Sequence, residues 1–349
     1  MNQEYTQRLK NIETELERWL PVNPDAAADS YWAENVFPSY GKKVNTVSLN
    51  ALVCPCGDML SRGGKRWRPL LMTLVCEAFG GGNSAILLSP LVEFSHNASL
   101  IHDDIEDESD ERRGKPAVHK IYGVDTAINS GTFFYFLSSA CIESCAPESK
   151  GQIYKLWTEC MRRLHLGQAM DINWHRNISF IPDINEYYVM CAMKTGSLAR
   201  LAAELGAYIA GAPEAACKLG AAAEKLGIGF QILDDVKNLT TGIPGKKHGD
   251  DIVEGKKSLP VLLYLNKFPA GREQVFRNFH EARKNGVSAP EVKELIEILA
   301  ASGVLAEAEE KGRALIEEAR AVFCSSECAG HSMDEKGRIL LDGLIDLIS

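Results

Sequence analysis

The 349-residue chain is acidic, with a net charge of −9, and 45% of it is hydrophobic, which is apolar content enough for a substantial buried core. The charge argues against a nucleic-acid surface, whose phosphates call for a basic face. No apolar run approaches the roughly 20 residues of a membrane helix, and the start, MNQEYTQRLKNIETELERWL, lacks the basic-then-apolar order of a signal peptide, so the expectation is a cytoplasmic protein without a transmembrane segment.

In chain order, segments 3 to 20, 69 to 79, 86 to 107, 123 to 143, 151 to 173, 184 to 210, 213 to 240 and 291 to 320 carry apolar residues at three- and four-residue spacing, broken by Gly, Pro or Asn. No segment alternates strictly enough to predict a strand. The expected fold is therefore all-α, a single domain over residues 1 to 349 packed as one large helical bundle with a central cavity. Residues 241 to 257, TGIPGKKHGDDIVEGKK, read as a functional loop between two long helices. The ten cysteines are scattered, which predicts reduced thiols rather than a disulfide framework. The pairs Cys54/Cys56 and Cys324/Cys328 lack the further ligands of a zinc site.

Two acidic clusters end apolar segments. In Asp103-Asp104-Ile105-Glu106-Asp107, helical spacing puts Asp103 and Asp107 on one face with Asp104 beside them. Like charges so placed destabilise a helix, and something must offset them; oxygen ligands of this kind suit magnesium bridged to phosphate oxygens. A solvated acidic helix end is the plain alternative for either cluster taken alone. The second cluster, Asp234, Asp235 and Asn238, repeats the spacing after LGIGFQIL. Short basic groups, Lys65-Arg66-Arg68, Arg112-Arg113, Lys246-Lys247 and Lys256-Lys257, suit an anionic small molecule better than a polymer, although each cation also has a reading as a surface salt bridge.

In series, GGKRWRP (63 to 69), LIHDDIEDESDERRG (100 to 114), GQAMD (167 to 171), MKTG (193 to 196) and FQILDD (230 to 235) resemble the trans-isoprenyl diphosphate synthases, over a core of about residues 60 to 260. HNASLIHDDIED, HKIYGVDTAINSGTFFYFL and the Asn-ended DDVKN are similar to geranylgeranyl diphosphate synthases of the eukaryotic kind, whereas GGKRWRP is similar to bacterial enzymes. The resemblance implies an Mg2+-dependent prenyltransferase, a homodimer, that condenses isopentenyl diphosphate with allylic diphosphates (dimethylallyl, geranyl, farnesyl). It implies metal binding by Asp103, Asp104, Asp107, Asp234 and Asp235, with Asn238 standing where most members carry Asp and still offering an amide oxygen. It implies isopentenyl diphosphate binding by Lys65, Arg68, His96 and Arg113, and allylic diphosphate binding by Arg112, Lys194, Lys246 and Lys256, with Thr195 and Gln231 close to the reacting carbons. His96 also has a reading as a neutral core histidine, and His102 is expected to be structural.

The small residues Ala98 and Ser99, a helical turn before Asp103, are expected to border an open channel for the growing chain, with Phe94 and Phe133-Phe134-Tyr135-Phe136 as its floor. That arrangement favours a twenty-carbon product, geranylgeranyl diphosphate, over a farnesyl or longer polyprenyl one. A terpene cyclase would carry a different second metal motif from DDVKNLTTG. An inactive partner subunit that binds prenyl lipids would be expected to lose an acidic cluster or the paired arginines.

Overall fold

The computed structural model describes residues 3–21, 30–242 and 247–349. The all-α expectation holds: the strands among the described residues are two-residue pieces, Glu111–Arg112, Lys115–Pro116, Glu327–Cys328 and His331–Ser332. Helices α1 (Gln3–Trp19), α2 (Ser30–Val36), α3 (Thr46–Ser61), α4 (Trp67–Ala78), α5 (Ser89–Glu106), α6 (Val118–Tyr122), α7 (Val124–Ser138) and α8 (Pro147–Arg176) come first. Then follow α9 (Ile184–Cys191), a π-turn (Ala192–Gly196), α10 (Ser197–Ile209), α11 (Pro213–Leu239), α12 (Asp250–Glu254), α13 (Leu259–Lys267), α14 (Arg272–Asn285), α15 (Pro290–Ala301), α16 (Val304–Phe323) and α17 (Glu335–Ile348).

The chain packs as two compact units, the first made of Met1–Thr158, Leu201–Ala216 and Ala329–Leu340. Its centre is α5, which packs against α7, α3 and α1. The sequence SPLVEFSHNASLIHDDIE opens with Pro90 in the first turn, where a missing N–H costs nothing, and buries one face through Leu91, Phe94, Ala98 and Ile101. Phe94 meets Phe134 of α7 at a ring-centroid distance of 4.7 Å. The aromatic run of α7 radiates as helical geometry requires: Phe134 is buried, Phe133 stacks on Phe37 and Phe136 projects to the surface.

The second unit is made of Glu159–Arg200, Cys217–Cys328 and Leu341–Ser349. Its core gathers Trp174, Tyr187, Ile232, Val236, Leu262, Phe279 and Leu295. The segment read as a loop at 241 to 257 contains the short helix α12, closed at both ends by glycines in the left-handed region, Gly249 (φ 80°) and Gly255 (φ 77°).

Candidate active site

The first acidic cluster lies at the C-terminal end of α5. A helix C-terminus disfavours negative charge, and here the chain turns back to offset it. Glu111–Arg112 pairs antiparallel with Lys115–Pro116, Arg112 opposite Lys115. The two residues between them, Arg113 (φ 54°) and Gly114 (φ 73°), are both left-handed, as a tight two-residue hairpin of this hand requires. The hairpin returns Arg112 to the helix end, where Nε donates to Asp104 Oδ1 at 2.7 Å and Nη2 reaches Asp103 Oδ2 at 3.4 Å. Burial pushes the Asp104 carboxyl up to about 6, against the pull of Arg112 and with the help of Asp103 and Asp107. Asp103 and Asp107 remain half-buried, whereas Asp104 has no exposed surface.

Beside this end lies a cationic group. Gly63 and Gly64 take positive φ (77° and 142°), and a Cβ on Gly64 would come within 3.0 Å of Arg113 Nη2. Arg113 Nη1 donates to the Gly63 carbonyl and to Asn97 Oδ1, the latter at 3.2 Å. Arg68 Nη1 lies 3.3 Å from His96 Nε2. A guanidinium only donates, so Nε2 accepts and the imidazole is neutral with its proton on Nδ1. Burial, then the charges of Arg68 and Arg113, hold the His96 pKa well below the usual histidine range. Lys65 is exposed at the edge of this group. Ala98 has no accessible surface, while Ser99 is half-buried and donates from Oγ to the His96 carbonyl at 2.7 Å.

The second cluster sits on α11 within the second unit. Asp235 is buried and both of its oxygens are engaged: Tyr187 OH donates to Oδ2 at 2.8 Å and Gln231 Nε2 to Oδ1 at 2.9 Å. Burial and then the neighbouring Asp251 push its carboxyl up to about 7. Gln231 Oε1 accepts from Thr195 Oγ1 at 2.8 Å, so Thr195, Gln231, Asp235 and Tyr187 form one hydrogen-bonded line. Asn238 is turned inward, its Oδ1 accepting from the Asp251 backbone N–H at 3.4 Å, and Asp234 stays half-buried.

Lys194 and Thr195 lie in the π-turn, an insertion that re-aims side chains out of the helical register. Lys194 Nζ is 2.6 Å from Asp171 Oδ2 of the GQAMD segment. Burial works against the charge on Asp171, but Lys194 and then Lys256 outweigh it and hold the carboxyl below its usual range. Gly167 of the same segment lets α8 and the π-turn touch: a Cβ there would lie 2.4 Å from the Lys194 backbone nitrogen. Lys256 pairs with Glu254 at 2.6 Å. With Asp171, Lys194, Gln231, Asp235 and Tyr187 it lines one polar recess, which Lys257 also borders. Lys246 lies outside the described residues.

The expected residues thus fall into two sets, one in each unit. The sequence reading gave no role to Tyr187, Asp171, Asn97 or Glu93. Asp171 was legible as the last letter of GQAMD; the others become visible only through their hydrogen-bond partners.

Among the described residues, no three His, Cys, Asp or Glu side chains are gathered closely enough to hold a metal by themselves. The residues present nevertheless suit a hard divalent cation. All candidate donors are oxygens, and Asp104 Oδ2 is buried without a hydrogen-bond partner, an acceptor still unused.

The polyprenyl synthetase family model matches residues 50–299. The chain is 31% identical to a geranylfarnesyl diphosphate synthase of Aeropyrum pernix, over 83% of this chain and 92% of that protein. It is 40% identical to a geranylgeranyl pyrophosphate synthase of Penicillium canescens, over 62% of this chain and 64% of that one. The crystal structure of a polyprenyl synthase from Caulobacter crescentus CB15, complexed with calcium and isoprenyl diphosphate, superposes with a TM-score of 0.75 at 25% identity, covering 96% of both chains. With the motifs in order, the all-helical architecture and a family match across most of its length, the chain belongs to the polyprenyl synthetase family of prenyltransferases.

Proposed function

We propose that this prenyltransferase condenses isopentenyl diphosphate with allylic diphosphates to a linear all-trans prenyl diphosphate, with geranylgeranyl diphosphate as its main product. The observation that carries the reading is the pairing of each carboxylate cluster with its own cations: Arg112 on Asp104 and Asp103 in one unit, Lys194 and Lys256 beside Asp171 and Asp235 in the other. Carboxylates alone would repel a diphosphate. The geranylgeranyl and geranylfarnesyl synthases among the relatives support a product of medium length.

In this reading Arg112, Lys194, Lys246 and Lys256 grip the allylic diphosphate, and Lys65, Arg68, His96 and Arg113 grip isopentenyl diphosphate. Bidentate guanidinium contacts fix the orientation of each diphosphate. A divalent cation, magnesium here, would be held by Asp103, Asp104 and Asp107 and by Asp234, and when bound supplies the positive charge that stabilises the departing diphosphate. Asp235 and Asn238 would complete the second cluster as further oxygen ligands, since an oxygen that accepts one hydrogen bond keeps a second lone pair. As the allylic carbon–oxygen bond breaks, the oxygens of Thr195 and Gln231 face the developing carbocation as preset dipoles, and no covalent nucleophile is required. The double bond of isopentenyl diphosphate attacks the cation, and the released pyrophosphate takes the proton that is lost.

Residues 1 to 349 are read as a single catalytic domain, and the enzyme works in the cytoplasm as a homodimer. The exposed apolar residues Ile121, Val124 and Ile128 on α6 and α7 support a second copy as neighbour. Among the described residues no helix is long and apolar enough to cross a membrane. The test is incubation of purified protein with magnesium, isopentenyl diphosphate and labelled dimethylallyl, geranyl and farnesyl diphosphates. A twenty-carbon product is expected, and failure to extend any primer would overturn the proposal.

A further inference from the structure

Behind Arg113 stands a chain of buried polar groups that the diphosphate contacts themselves do not require. Asn97 has no exposed surface. Its Nδ2 donates to the Glu93 carbonyl at 2.8 Å and to Glu93 Oε1 at 3.0 Å, while its Oδ1 accepts from Arg113 Nη1 at 3.2 Å. This amide can sit only one way round, because turning it over would aim NH2 at a guanidinium and an oxygen at a carboxylate. Glu93, 2% exposed, takes Arg66 Nη1 on the same Oε1 at 2.8 Å. Arg66 in turn spans the glycine loop, donating to the carbonyls of Gly63 at 3.2 Å and Leu60 at 2.7 Å, and its Nε is anchored by Glu13 of α1 at 2.8 Å. It holds a left-handed backbone (φ 48°) to do so.

Two supports therefore converge on Arg113: the Asn97 amide, fixed by Glu93, and the Gly63 carbonyl, on a loop fixed by Arg66. Both act on Nη1, leaving the Nε and Nη2 donors of Arg113 for an anion. We propose that Glu93 and Asn97 are positioning residues for the isopentenyl diphosphate site, holding Arg113 in register. A guanidinium with a preset orientation loses less freedom when it binds a diphosphate. Glu93 also places one buried negative charge against Arg66 and, through Asn97, behind Arg113, so that these cations are tolerated before substrate arrives.

The inference rests on the assignment of Arg113 to isopentenyl diphosphate, and the experiment separates the two. Steady-state constants for each substrate, and isopentenyl diphosphate binding by calorimetry, are measured for Arg113→Ala, Asn97→Ala, Asn97→Asp and the double variant Glu93→Gln/Asn97→Asp. Arg113→Ala and Asn97→Ala should each raise the KM for isopentenyl diphosphate roughly tenfold or more, the scale of a lost hydrogen bond to a charged group, with the allylic KM little changed. Asn97→Asp sets two carboxylates in contact and should do worse. Glu93→Gln/Asn97→Asp restores an amide-to-carboxylate bond at the same net charge and should recover much of the binding.

If Arg113→Ala weakens isopentenyl diphosphate and Asn97→Ala does not, the positioning role is wrong and the site stands. If Arg113→Ala leaves that substrate unaffected, the site assignment itself falls, and the inference with it. Equal rises in both KM values for Asn97→Ala would mark a merely structural residue and overturn the proposal. Should Asn97→Ala not fold, Asn97→Asp with and without Glu93→Gln decides: no recovery in the double variant overturns it.

Discussion

Arg112 and Arg113 are consecutive, yet their side chains are committed to different partners: Arg112 to the carboxylates of Asp104 and Asp103, Arg113 to the Gly63 carbonyl and Asn97. The hairpin turn at Arg113-Gly114 causes the divergence. Each arginine accordingly serves a different diphosphate in the proposed reaction. Arg112→Lys should chiefly raise the KM of the allylic substrate and Arg113→Lys that of isopentenyl diphosphate, because lysine keeps the charge but loses the fork. Varying each substrate in turn checks this; equal effects on both constants in both variants would refute the assignment.

Excess chelator should abolish turnover, and Asp103→Ala should lower kcat about 100-fold or more, on the scale of several kcal/mol supplied by a bound metal. Asp103 is half-buried and its contact with Arg112 is long, 3.4 Å, so the variant should fold normally. Circular dichroism melts should superpose on wild type while activity is lost. An Asp103→Ala enzyme with normal rates would remove this cluster from the mechanism.

The position of Lys194 depends on a residue with no side chain. Gly167→Ala would force a Cβ to 2.4 Å from the Lys194 backbone nitrogen, an overlap with main chain that no rotamer change relieves. A cost of about 1–3 kcal/mol is expected, with a raised KM for the allylic diphosphate as the π-turn shifts. An unchanged melting temperature and KM would show that α8 and the π-turn are not tightly coupled.

The sequence revealed the helices that carry the chemistry because α5 and α11 combine long apolar stripes with acidic ends. It did not reveal α3, which falls outside the segments with helical spacing; in the structure Pro55 lies inside the helix, which is capped by Asn45 accepting from the Ser48 N–H at 2.8 Å. The span 291 to 320 reads as one helix but is parted at Gly303, whose φ of 77° ends the helical path. Site residues inside motifs were legible. Tyr187 and Asp235 are 48 positions apart and Lys194 and Asp171 are 23 apart, so no local spacing rule connects them, and only packing brings them together.

Lys257, at the border of the recess that holds Asp171 and Asp235, supplies a pH test. It is 2% exposed, donates from Nζ to the Gly255 carbonyl at 2.9 Å and lies over the Phe279 ring. Burial, then Arg283, depress its pKa to about 8, against the opposing charge of Asp171. The unfolded lysine keeps its proton up to its ordinary range, so between about pH 8 and 10.5 the unfolded state binds more protons, and this residue's contribution to stability rises with pH. Lys257→Met should therefore stabilise the protein at pH 7, by at most about 3 kcal/mol, with the advantage fading toward pH 10.5. Urea denaturation at both pH values measures it; a gain independent of pH would mean that the buried charge is not its source.

Product length should depend on what lies down α5 from Asp103. Ala98 and Ser99 precede Asp103 by five and four residues, which at about 1.5 Å per residue is roughly 6 to 8 Å along the helix. The sequence treats them alike, but the structure separates them: Ala98 has no accessible surface, whereas Ser99 is half-buried, with its hydroxyl tied to the His96 carbonyl. We propose on this ground that Ser99 borders the channel more directly than Ala98, which packs against the neighbouring helices. Phe94 and Phe134, in contact and fully buried, are suited to close the channel below. Ser99→Phe should shift the main product from twenty carbons to fifteen or fewer, while Ala98→Phe should lower stability by about 1–3 kcal/mol through overpacking, with the product of the folded fraction unchanged. Chromatography of dephosphorylated products decides between them. A wild-type product of thirty or more carbons would reject Phe94 and Phe134 as a floor, and an unchanged Ser99→Phe product would place the channel elsewhere.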